Sequence, residues 1–274
     1  MTPRPDASVA TAPRPRLGVF KFASCDGCQL SLLNLEDELL PLLERVDLVH
    51  FLEASSRADD DERLDVALVE GSITTTHDAA RVRRIRERSA RLVTIGACAT
   101  SGGIQALRNL ADVEEWKSHV YPHPEWIETL STSTPIADHV KVDVEIQGCP
   151  VNKEQVLRVI LRLLLGSDPD LPSASVCLEC KRRGNPCVLV TQGIPCLGPV
   201  TRAGCGAICP GLGRDCYGCF GPAVDPNPAS LMRQLEASGL PRADAVRRLR
   251  HVNGWRREFR ELADALEGRE GGGA

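Results

Sequence analysis

Eight of the chain's twelve cysteines fall in the 43 residues from Cys177 to Cys219. Cysteine at that density serves either disulfides in an oxidising compartment or metal in a reducing one. The amino-terminal stretch MTPRPDASVATAPRPRLGVF decides between them. It has four prolines in its first 15 residues, no long apolar run and no twin-arginine pair, so it reads as neither a secretion nor an export signal. The longest apolar stretches, such as 156–165, are interrupted by Arg158 and Arg162 and are too short to span a bilayer. The expectation is a cytoplasmic chain without membrane insertion, whose cysteines are reduced thiolates holding metal. Twelve divides into three groups of four, the complement of a tetrahedral ion or a cubane cluster.

A length of 274 residues allows one large domain or two smaller ones, and 42% apolar residues are enough for a packed core. A net charge of −4 gives a nucleic-acid partner no global electrostatic support. Three Trp, two Tyr and five Phe in the whole chain weaken a base-stacking surface further.

Residues 1–16, Pro-rich and polar, read as a disordered tail. Strands are expected at 17–22, 46–52, 64–69, 91–95 and 140–146. Helical spacing is expected at 29–45, at 75–90 with Thr74 or Thr75 as N-cap, at 104–110, 113–120 and 153–165. Strands alternate with helices over 17–166, which predicts an α/β fold with a doubly wound parallel sheet. Residues 167–222 hold eight Cys and seven Pro, with no run long enough for a helix. Such a segment cannot build its own core, and metal is the expected support. Residues 223–274 return to helix over 228–267 and end in a frayed GGGA tail.

The first quartet follows from the strands. Cys25 and Cys28 come just after the first strand, Cys98 after 91–95 and Cys149 after 140–146. In an open parallel sheet the carboxyl ends face one crevice. Three loops far apart in sequence therefore deliver four thiolates to one place, with Gly27, Gly96, Gly102, Gly103 and Gly148 letting backbone approach sulfur. A thioredoxin-like Cys-x-x-Cys pair and a four-Cys zinc site stand beside a 4Fe–4S cluster, which the exposed crevice favours because it suits electron exchange. Glu70 lies at the same edge, as a solvated loop acid, a contact to a partner subunit or a proton-relay position. The other eight cysteines run Cys177-x2-Cys180-x6-Cys187-x8-Cys196 and Cys205-x3-Cys209-x6-Cys216-x2-Cys219. Sequence-local quartets favour two sites, with cross-ligation and zinc ribbons as alternatives. Between them lie Lys181, Arg182, Arg183, Arg202 and Arg214 against Glu179 and Asp215, and this positive excess fits anionic thiolate-bound cores.

Cys25-Asp-Gly-Cys28 after LGVFKFAS, the 69–73 loop VEGSI, Ile95-Gly96-Ala97-Cys98, Gly148-Cys149-Pro150 and the trailing cysteine-rich module resemble the small subunit of nickel–iron hydrogenases. The similarity is to the cytoplasmic, NAD(P)-linked, sulfhydrogenase-type delta subunits, related to the 20 kDa subunit of complex I, and covers about residues 17–222. It implies a flavodoxin-like first domain with a proximal 4Fe–4S cluster on Cys25, Cys28, Cys98 and Cys149. It further implies a medial cluster on Cys205, Cys209, Cys216 and Cys219, and a distal one on Cys177, Cys180, Cys187 and Cys196. The implied partners are a large subunit holding the nickel–iron site, and flavin/NAD(P)-binding and iron–sulfur subunits. No catalytic residue is expected in this chain. The complex I relative has two adjacent cysteines where this chain has Cys25-x2-Cys28, and it lacks the eight-Cys module. An iron–sulfur adaptor of a nickel-free reductase and a non-redox zinc scaffold are the alternatives.

Overall fold

A computed structural model describes residues 13–59 and 61–268. Most of the expected amino-terminal tail and the GGGA end lie outside these residues. Five strands form one sheet: β1 (Arg16–Lys21), β2 (Asp47–Phe51), β3 (Leu64–Glu70), β4 (Ser89–Ile95) and β5 (Val144–Ile146). All neighbours are parallel and the order is β2-β1-β3-β4-β5. This is the flavodoxin-like doubly wound order, with its switch point between β1 and β3. Arg16 already pairs with Asp47, so order begins inside the expected tail.

Both faces of the sheet are covered, which explains why the strands read as apolar runs. Side chains alternate between two cores. Leu17, Val19, Val66, Leu68, Val93 and Ile95 face one side, against α1 (Gly27–Leu33), α2 (Leu39–Arg45) and α6 (Lys153–Leu164). Phe20, Ala67, Val69 and Leu92 face the other, against Val82 and Ile85 of α3 (Thr76–Arg88). Thr75 caps α3 by accepting from the Asp78 amide. α4 (Gly96–Ser101) follows β4 directly, and α5 (Val113–Val120) starts on Asp112, which accepts from the Glu114 and Glu115 amides.

Three expectations need correction here. The helix at 29–45 is two helices, because Pro41 has no N–H to give the Asp37 carbonyl and is tolerated only in the first turn of a new helix. Between them Glu36 adopts a left-handed φ of 51°. The last strand begins at Val144 rather than Val140. Ahead of it Asp143 puts its carboxylate into the ladder, accepting the Leu92 amide at 2.8 Å while Arg86 holds it at 2.6 Å. Residues Ile104–Leu110 wind as a tighter 3₁₀ helix.

The cysteine-rich segment also differs from expectation. It contains three short helices, α7 (Val176–Arg182), α8 (Val188–Gln192) and α9 (Ile208–Gly211). Val176, Val188, Ala207, Cys196 and Cys216 form a small buried cluster. Leu197 and Val200 join a second core, built mainly by α10 (Pro228–Ala237), α11 (Arg242–Leu249) and α12 (Arg257–Glu267). The carboxyl-terminal helices thus supply apolar partners that the segment does not itself contain. They are three helices rather than one, since Gly239-Leu240-Pro241 and Gly254 interrupt the pattern. No helix among the described residues is long and apolar enough to cross a membrane.

Candidate iron–sulfur ligand sites

The carboxyl ends of β1, β4 and β5 bring Cys25, Cys28, Cys98 and Cys149 to one edge of the sheet, as the strand reading predicts. Backbone bonds fix their loops to one another. Phe22 N–H donates to Glu70 O at 2.8 Å, Ser72 N–H to Ala23 O at 2.9 Å and Ala97 N–H to Gly148 O at 2.8 Å. Gln105 bridges two of the loops: its Nε2 donates to Ala23 O at 2.7 Å, and its Oε1 accepts from the Cys98 thiol at 3.4 Å. The Cys149–Pro150 peptide is cis.

Glycine makes the room. Gly96 has a φ of 87°, and a Cβ there would overlap the Cys28 sulfur. A Cβ on Gly103 would stand 2.6 Å from the Cys98 sulfur. These positions form a cradle in which backbone alone lies beside sulfur.

Glu70 is only 2% exposed. Its Oε1 accepts the Cys28 N–H at 3.1 Å and its Oε2 accepts the Gln29 amide at 2.7 Å. Burial pushes its carboxyl up, against the two bonds that favour the charged form. The structure therefore places Glu70 inside the chain, fastening the start of α1, and not in a solvated loop.

The remaining thiols fall into adjoining sets. Cys177, Cys180, Cys187 and Cys196 line one small hollow, with Val176, Val188, Leu189, Gly198, Pro199 and Pro210. Burial pushes the Cys177 thiol up to about 11, and Cys196, Cys187 and Cys180 add to it. Burial pushes Cys219 up to about 12, with Cys205, Cys149 and Cys209 as its charged neighbours. It also pushes Cys216 up to about 12, and here Cys196 and Cys219 add. Cys216 N–H donates to the Cys196 sulfur at 3.3 Å. The cysteines thus run in an unbroken series, with Cys149 beside Cys219 linking the first set to the second and Cys216 beside Cys196 linking the second to the third.

This donor set suits iron–sulfur cores. The thiols that burial pushes up do not ionise alone; such groups become thiolates where metal supplies positive charge. Among the described residues no three Cys, His, Asp or Glu side chains gather closely enough to hold a single ion.

Several residues beside the thiols carry no sequence signal. Asn253 Nδ2 donates to Gly218 O and Cys219 O at 2.8 and 3.1 Å, and its Oδ1 accepts from Ser101 at 2.9 Å. Phe220 is buried between Gly148 and Gly204, so its ring separates the Cys149 loop from the Cys205 loop.

Comparison with known proteins agrees with this layout. Residues 25–163 match the family described as NADH ubiquinone oxidoreductase, 20 Kd subunit. The sulfhydrogenase 2 subunit delta of Pyrococcus furiosus is 40% identical, over 88% of this chain and all of that protein. The NAD-reducing hydrogenase HoxS subunit delta of Cupriavidus necator is 29% identical, over 58% of this chain and 83% of its own length. A crystal structure of an NAD+-reducing [NiFe]-hydrogenase in the H2-reduced state is similar with a TM-score of 0.53 and 29% identity. It covers 58% of this chain and 96% of the matched one.

Proposed function

Because the chain belongs to the NADH–ubiquinone oxidoreductase 20 kDa subunit family and is an oxidoreductase subunit, we propose that it carries electrons within a nickel–iron hydrogenase. In this reading three 4Fe–4S clusters link the nickel–iron site of a partner large subunit to a flavin or iron–sulfur partner that serves NAD(P). Each cluster, when bound, supplies one-electron storage. The chain's own residues hold and space these stores. Cys25, Cys28, Cys98 and Cys149 hold the proximal one, Cys205, Cys209, Cys216 and Cys219 the medial one, and Cys177, Cys180, Cys187 and Cys196 the distal one. Gly96 and Gly103 keep side chains out of the proximal cradle, and Glu70 fixes the amide of Cys28.

The observation that carries the reading is the unbroken series of thiols, from Cys25 at the sheet edge through Cys149 and Cys219 to Cys196. A zinc scaffold has no need of such continuity. The eight-cysteine module lies outside the family match, whereas the sulfhydrogenase similarity extends over it, and this favours hydrogenase over a complex I-like adaptor. The NAD(P) acceptor draws support from the NAD-reducing relatives. Their match covers little more than half of the chain, so the acceptor is the finer part of the proposal.

Metal analysis of the native complex, joined to a hydrogen-dependent dye-reduction assay, tests this. About twelve iron and twelve acid-labile sulfide per chain are expected. Stoichiometric zinc with little iron would sink the proposal.

A further inference from the structure

Glu179 sits in α7 between Cys177 and Cys180, yet its side chain reaches the other quartet. Its Oε1 accepts the Gly204 N–H at 2.9 Å, and its Oε2 lies 4.0 Å from the Cys205 sulfur. Arg183, at the end of the same helix, donates to Gly206 O. The two side chains therefore grip the backbone on either side of Cys205. The grip leaves no slack, because a Cβ on Gly204 would stand 3.0 Å from the Phe220 ring. Arg183 is exposed, so water screens its charge; Glu179 is half-buried.

We propose that Glu179 is a positioning residue that holds the Cys205 loop and sets the reduction potential of the centre on Cys205, Cys209, Cys216 and Cys219 low. The proposal rests on reading those four thiols as a cluster site. Two physical effects act in the same direction. The reduced form of any such centre carries one more negative charge than the oxidised form. A carboxylate beside a ligand sulfur, out of bulk water, disfavours that added charge. The Gly204 N–H is also committed to the carboxylate, so it is withheld from the cluster sulfurs, where hydrogen bonds would stabilise the reduced form. A series that serves a nicotinamide acceptor needs every member low, since one high-potential member would trap the electron.

The test is a redox titration of the purified native complex, followed by EPR, in wild type, Glu179→Gln and Glu179→Asp. Gln keeps an oxygen to accept the Gly204 N–H but removes the charge. One of the three couples should move to higher potential while the other two stay, with iron content unchanged. All three couples unmoved, or a downward shift, would overturn the role of Glu179. Should the Gln variant lose iron, Glu179→Asp is read in its place, since it keeps the charge but withdraws it by one methylene. A smaller upward shift of a single couple then supports the proposal, and an unmoved couple overturns it. A wild-type complex with fewer than three couples would instead overturn the cluster reading beneath it, and the proposal with it.

Discussion

At Gly96 a side chain meets two obstacles. The φ of 87° is one that only glycine adopts at little cost, and a Cβ would overlap the Cys28 sulfur. The atom that must give way is a proposed ligand. Gly96→Ala should therefore lower iron by about a third, the share of one 4Fe–4S centre in three. Gly193→Ala is the control: its φ of 65° also strains alanine, by roughly 1–2 kcal/mol, but nothing lies within 4 Å of the added methyl. That variant should lose some stability and keep its iron. Full iron in Gly96→Ala would show that the proximal centre lies elsewhere. Glu70 teaches a related lesson at the same scale. From sequence, a carboxylate beside four thiolates reads as an oddity awaiting a partner. In the fold it has two, the Cys28 amide and the Gln29 side chain, and both are internal.

Among the elements, β5 shows how a side chain stands in for a strand. Asp143 N–H donates to Leu92 O at 2.9 Å, and its carboxylate receives the Leu92 amide in return. Burial pushes the Asp143 carboxyl up, but the Leu92 amide and Arg86 outweigh it and hold it below the ordinary carboxylate range. The native state thus binds this proton less readily than the unfolded chain. Its stabilisation is complete above about pH 4, the unfolded value, and is lost as pH falls below it. Urea unfolding at stepwise lower pH should show that loss, and Asp143→Asn, less stable at pH 7, should show a shallower fall below pH 4. Equal slopes in both proteins would place the acid sensitivity elsewhere. The same residue explains part of what the sequence hides. The strands were legible because a sheet covered on both faces writes uninterrupted apolar runs such as LDVALV. The first cysteine quartet was legible because strand ends of one parallel sheet must converge. The start of β5 was not, since Val140 and Val142 alternate like strand residues while packing beside Leu130 against the α3-side core. Nor were α7 to α9, each held by tertiary partners rather than by its own pattern. Asn253 and Gln105 were invisible for a similar reason, as single amides that join segments far apart in the chain, Ser101 to Cys219 and Cys98 to Ala23.

In the whole molecule, the carboxyl-terminal segment joins the sheet edge to the cysteine-rich module. Asn253 binds Ser101 on one side and the Gly218 and Cys219 carbonyls on the other, while Arg256 reaches the Thr100 carbonyl and Glu145. The spacing between Cys98 and Cys219 is therefore set inside this chain and does not wait for a partner. What a partner must supply is cover for the other side of the proximal site. Cys25 and Cys149 are exposed there, and the flanking residues include Leu30, Ile104 and Leu107, each more than a third exposed. Exposed thiols on loops that also carry exposed apolar side chains fit a permanent interface, and obligate interfaces run above roughly 2,000 Å². Adding the proposed large subunit should slow hydrogen exchange in 24–30 and 97–107. Residues 63–65 and 87–91, at the amino ends of β3 and β4, lie at the opposite edge of the sheet and should exchange as before. Protection confined to that opposite edge would mean that the partner does not meet the Cys25, Cys28, Cys98 and Cys149 thiols, and the proposed link from the partner's nickel–iron site to that set would fall with it.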